Sequence, residues 1–149
     1  MQVALALHVL AVVSWVGGMA FALLILRPAL APLAPPQRLA VLGAVFARFL
    51  PVVGVAIVVI VATGGWMLVR LGGLRAAPIG VHAMTGLGAV MIVIYLVLVT
   101  ALQPSLQAAL RASDWSRAGA VAQRIRTLVG VNLVLGVAAI VAAVIGAVR

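Results

Sequence analysis

Four long apolar runs alternate with short polar connections along this chain. They extend from about residue 3 to 26, 49 to 69, 79 to 102 and 128 to 148, and none contains Lys, Arg, Asp or Glu. A helix rises 1.5 Å per residue and needs about 20 mainly apolar residues to cross roughly 30 Å of hydrocarbon. All four runs are long enough. The pattern predicts an all-α fold, an integral membrane four-helix up-down-up-down bundle, as a single transmembrane domain over residues 1–149. Connections 27–48 and 103–127 fall on one side of the membrane, and a tight turn falls on the other.

Proline and glycine punctuate the runs. Pro28, Pro32, Pro35 and Pro36 are expected to end the first helix, and Gln103 and Pro104 the third. Pro51 is expected in the first turn of the second helix, where its missing N–H costs little. Gly72, Gly73 and Pro78 mark the tight turn. Ser105 to Ala112 carries apolar residues at helical spacing and predicts a surface-lying helix. Asp114 reads as the N-cap of a helix that runs from Trp115 through Arg126 into the fourth span, with Trp115 as an interface anchor. No positive charge precedes the first run, which also exceeds the 7–15 residues of a signal-peptide core, so it reads as a retained span.

Composition sharpens this picture. The chain is 67% hydrophobic and 7% charged, against roughly a quarter charged in soluble domains. Ten arginines face one acid, Asp114, and there is no lysine and no cysteine. Disulfides and thiolate-bound metals are excluded because the ligand is missing. Nucleic acid is also excluded as a partner, since the basic residues lie between membrane spans rather than on a soluble face. The partner the composition implies is the lipid bilayer. Sorted by side, Arg27, Arg38, Arg48, Arg111, Arg117, Arg124 and Arg126 flank the two longer connections, while Arg70, Arg75 and Arg149 lie opposite. The positive-inside rule then places both termini outside and the two longer connections in the cytoplasm, in a multi-pass arrangement. An oligomer is compatible with everything in the sequence.

Polar groups inside a bilayer are costly and draw attention as functional candidates. Here they are His8, Ser14, Thr63, His82, Thr85, Tyr95, Thr100 and Asn132. No acid lies within a span, which excludes carboxylate proton relays and paired-carboxylate catalysis. His8 and His82, the only two histidines, start parallel spans at matching depth, roughly 6–9 Å below the outer surface. Bundles build cofactor sites from such facing side chains.

Two centres fit them. The preferred one is heme b between His8 and His82 in the outer leaflet, with Gly17, Gly18 and Gly86 making room for the porphyrin, Asn132 as a further contact, and a redox role in the membrane. The alternative is copper, bound or transported, with His8 and His82 joined by the thioethers of Met1, Met67 and Met84, which suit Cu(I). A non-catalytic membrane subunit is the third reading. Each feature also has a plain explanation: a histidine bonding a neighbouring helix, glycines allowing close approach, Met19 and Met91 filling gaps, threonines bonding their own helix. Catalysis, if any, would rest on the metal or cofactor itself, as a heme-dependent oxidoreductase.

The stretch from His8 through Trp15 to Gly17 and Gly18, continuing to Arg27, Pro28, Ala29 and Leu30, resembles the first helix of CopD-like membrane proteins, the copper-resistance D family. It is also similar to the first helix of the related HemJ-type protoporphyrinogen oxidases, four-helix proteins that bind heme b. The third-span stretch from Val81 through His82 and Met84 to Gly88 matches where both carry a histidine, and Arg126 to Asn132 resembles their fourth helix. Where the HemJ pattern has a lysine this chain has Met84, and Leu23 and Leu24 stand in place of its Pro-Arg pair. Both departures favour the CopD-like branch. The resemblance implies copper handling at a bacterial inner membrane, with both termini periplasmic and a periplasmic copper binder beside it, or, in the heme reading, a quinone- or porphyrin-type small molecule as partner.

Overall fold

A computed structural model describes residues 1–146. Val148 and Arg149, the end of the fourth run and one arginine of the charge count, lie outside the described residues. Every regular element among the described residues is helical. Four helices are long and apolar enough to cross a membrane: α1 (Gln2–Ala29), α2 (Pro35–Arg70), α3 (Ile79–Arg111) and α4 (Trp115–Gly146). Their outward faces are apolar, with Val3, Leu10, Leu24, Val55, Val58, Val93 and Val134 all exposed. Such a surface suits lipid rather than water.

The helices are longer than the apolar runs because three prolines do not break them. Pro51 was expected in a first turn but stands well inside α2, which begins at Pro35. Pro104 was expected to stop α3, yet the helix passes through it to Arg111. The accommodation is visible. A π-helical turn at Leu98–Leu102 comes two residues before Pro104, and another at Ala22–Leu26 comes two residues before Pro28. A proline ring clashes with the carbonyl four residues back, and the inserted residue of a π turn relieves that clash. The segment after Pro104 does not lie on a membrane surface by itself. Leu106 and Ala109 are each 1% exposed, packed into the common core with Leu39, Phe46 and Ala118.

The turns behave as the sequence indicated. Gly72 (φ +91°) and Gly73 (φ +87°) take left-handed conformations that a side chain would strain. Between α3 and α4, Ser113 is left-handed at φ +52°. Asp114 then caps α4, its Oδ1 accepting from the Arg117 N–H at 3.0 Å.

In the bundle, α1 packs along α2 and α3 along α4. The far end of α3 packs against α2 and α4, and α4 also meets α1 and α2. The diagonal pair α1 and α3 shares no extended contact. Buried side chains concentrate toward the end carrying the two longer connections, hereafter the loop end. At the opposite, terminal end, α3 is held through Gly80. A methyl group there would meet the Ala142 carbonyl at 2.6 Å and the Gly146 Cα at 2.8 Å, so α3 and α4 touch backbone to backbone. Beyond Gly80, the next buried residue on α3 is Met91.

Candidate functional site

His8 is 8% exposed and turns toward α2, not toward α3. Its Nδ1 lies 3.1 Å from Thr63 Oγ1, and its Cε1 fits over Gly64, where an added Cβ would come within 3.1 Å of it. The Thr63 hydroxyl has one proton, and it donates that proton to the Val59 carbonyl at 2.6 Å. The oxygen can therefore only accept from His8. This assigns the proton to Nδ1 and leaves Nε2 with a free lone pair.

His82 reaches the same state by a local route. Its Nδ1–H donates to the Pro78 carbonyl one turn back, at 3.1 Å, again leaving Nε2 as an acceptor. The proline supplies this partner by starting α3, since its carbonyl belongs to the first turn. His82 is half-buried. Both histidines are thus held in the tautomer that a metal-binding imidazole uses, with the second nitrogen fixed by a hydrogen bond.

The thioethers divide. Met67 is half-buried and lies one helical turn beyond Thr63, on the same face of α2 and nearer the terminal end. Met84 follows His82 by two residues, about 200° around α3, so the two leave the helix on different sides. Met1 is 60% exposed where α1 begins. Met19 and Met91 are core side chains at 2% and 4% exposure. Met91 fills the space beside Gly136.

The structure does not gather the other candidates around the histidines. The place a side chain would take at Gly18 is occupied by the Phe49 ring, so this glycine serves helix packing. Gly17 and Gly86 face open space, with nothing within 4 Å of an added Cβ. Asn132 is 1% exposed and borders a cavity of about 10 Å³ with Trp15, Met19 and Tyr95, and its Oδ1 finds no partner among the described residues. It lies 14 residues before Gly146, roughly 21 Å along α4 at 1.5 Å per residue, well below the level of Gly80 and His82.

The reading of intramembrane polar positions alone does not pair Thr63 or Gly64 with His8. A signal was present. In an antiparallel pair joining Gln2 to Arg70, residue 8 stands opposite residue 64. Thr63 does bond its own helix, as expected of an intramembrane threonine, and that bond is what fixes the histidine.

The fold and its donors define a multi-pass membrane protein offering imidazole, with thioether nearby, at one end of a helical bundle. The family model for Copper resistance protein D matches residues 43–146, well over half of the chain. The chain belongs to the CopD family. No curated protein and no solved structure shows significant similarity to it. The match includes His82, Met67 and Met84, while His8 and Met1 precede it. A family linked to copper resistance fits the copper reading of the two histidines better than heme b, which these observations do not support.

Proposed function

We propose that this protein binds copper ions at the terminal end of its bundle, as Cu(I), through His8 Nε2 and His82 Nε2, with Met67, one helical turn beyond Thr63, as the candidate thioether. The carrying observation is the matched hydrogen bonding of the two histidines, each with Nδ1 engaged, by Thr63 Oγ1 for His8 and by the Pro78 carbonyl for His82, which leaves both Nε2 atoms for a metal. Imidazole and thioether donors without carboxylate or thiolate select a soft ion over Mg²⁺, Ca²⁺ or Mn²⁺. His8 is rigid, clasped between α1 and α2. His82 sits on the less packed part of α3, so an ion bridging them would draw α3 toward the α1–α2 pair. Copper here is cargo, received and released without a redox step.

Membership of the CopD family supports a bacterial inner-membrane location, and the arginine distribution puts this end on the periplasmic side, where a soluble copper binder is the natural donor or acceptor. The test is Cu(I) affinity of purified protein, measured by competition with a chromophoric Cu(I) chelator. His8→Ala and His82→Ala should each weaken binding at least tenfold. Unchanged affinity in both would sink the proposal. A Soret band in unsupplemented protein, lost in both variants, would return heme as the ligand.

A further inference from the structure

At the loop end, far from the histidines, a cavity of about 510 Å³ opens between α1, α2 and α4. Arg27, Arg38 and Arg126 all line it, one from each helix, together with Gln123 and Trp115. Arg27 is half-buried and anchored across the bundle, donating from Nη2 to the Ala122 carbonyl at 3.2 Å. Three guanidinium groups around one cavity repel each other unless something negative lies between them. The chain cannot supply it. Its single acidic residue, Asp114, has its carboxylate turned to capping α4.

We propose that this cavity binds a phosphate-bearing anion. Guanidinium groups make paired, charge-assisted hydrogen bonds to phosphate oxygens, and three of them from three helices surround such a group where a single one would only touch it. The rest of the lining suits a phosphate attached to something apolar. Leu23, Leu39 and Leu42 form the side toward the membrane interior, and Trp115 stands where an interfacial indole meets headgroups. An anionic phospholipid headgroup matches both ends of the cavity, since basic pockets between membrane helices take such lipids. A soluble phosphate compound would use the arginines alone. Occupancy would tie α1, α2 and α4 together at the end opposite the copper ligands.

The experiment compares native mass spectra of the protein in neutral detergent with added dioleoyl phosphatidylglycerol or dioleoyl phosphatidylcholine. Thermal shifts with inorganic phosphate and glycerol 3-phosphate form a second arm. One phosphatidylglycerol per chain is expected, at least tenfold preferred over phosphatidylcholine. The double variant Arg38→Gln/Arg126→Gln should lose that preference at least tenfold. Arg111→Gln/Arg117→Gln removes the same charge from the same end outside the cavity and should keep it. Stabilisation by the soluble phosphates without lipid preference would identify a free phosphate compound as the occupant. If the Gln pair does not fold, Arg38→Lys/Arg126→Lys retains charge but not the paired hydrogen bonds, and should bind at intermediate strength. The proposal is overturned if unmodified protein responds to none of these probes, or if the cavity variants bind like the control.

Discussion

His8 donates its Nδ1 proton to Thr63 because Thr63 has already given its own proton to Val59. A hydrogen bond inside α2 thereby sets the protonation pattern of a ring on α1. If His8 binds copper as proposed, Thr63 is a positioning residue for the ion. Thr63→Val keeps the shape and removes the acceptor, and should lower Cu(I) affinity on the order of tenfold, as loss of such a partner does elsewhere. Thr63→Ser should restore it. Nitrogen-15 NMR of the imidazoles in the copper-free protein should show His8 protonated at Nδ1 in the parent protein and a mixture of tautomers in the Val variant. Equal affinity across the series would remove Thr63 from the site.

Gly80 and Gly86 lie on the same helix and predict opposite results. At Gly80 a methyl group has only the backbone of Ala142 and Gly146 to push against, and backbone cannot yield cheaply. Gly80→Ala should therefore destabilise the bundle by about 1–3 kcal/mol, the usual range for overpacking. At Gly86 nothing lies within 4 Å, so Gly86→Ala should be neutral or slightly stabilising. Unfolding in mixed micelles measures both, and equal losses would contradict the α3–α4 contact.

Tyr95 hydrogen-bonds across the bundle to the Leu50 carbonyl at 3.2 Å, over Gly54, which leaves room for the phenol. Tyr95→Phe should cost about 0.5–1.5 kcal/mol, the net value of one such bond. Gly54→Ala would meet the hydroxyl at 2.6 Å and should cost more than Tyr95→Phe. Combining the two should cost less than their sum, because the clash vanishes with the hydroxyl.

Asp114 makes the turn between α3 and α4 a capped start rather than a frayed one. Asp114→Ala should cost about 0.5–2 kcal/mol and Asp114→Asn much less, because the amide oxygen can still accept from the Arg117 N–H. The same unfolding assay reads the difference.

Orientation has a direct readout. A phosphatase fused to the C-terminus should be active, because that enzyme folds only in the periplasm, and a fluorescent protein inserted at Ser113 should mark the cytoplasm. The reverse pattern would move the proposed copper site to the other side of the membrane.

The spans were readable from sequence because lipid imposes a simple condition: about 20 residues without charge. The N-cap at Asp114 and the left-handed glycines at 72 and 73 were readable for the same kind of local reason. The local rule that proline ends a helix, which works in water, fails at Pro28, Pro51 and Pro104. Pro104 stops an isolated helix, but here Leu106 and Ala109 beyond it are buried between α2 and α4, and a π turn absorbs the clash. Packing energy gathered from other helices outweighed one missing hydrogen bond.

By itself the sequence determined that the chain lives in a membrane, how many times it crosses, and that only two imidazoles are available. Those conclusions depend on composition and run length, which no folding can alter. Which neighbour each histidine meets was decided by the tertiary structure. Depth along a helix is counted in residues, but facing is set by how helices pair, and α1 pairs with α2 rather than with α3. That pairing placed His8 on Thr63 and put Phe49 against Gly18. Packing of α4 against both α1 and α2 assembled three distant arginines into one cavity.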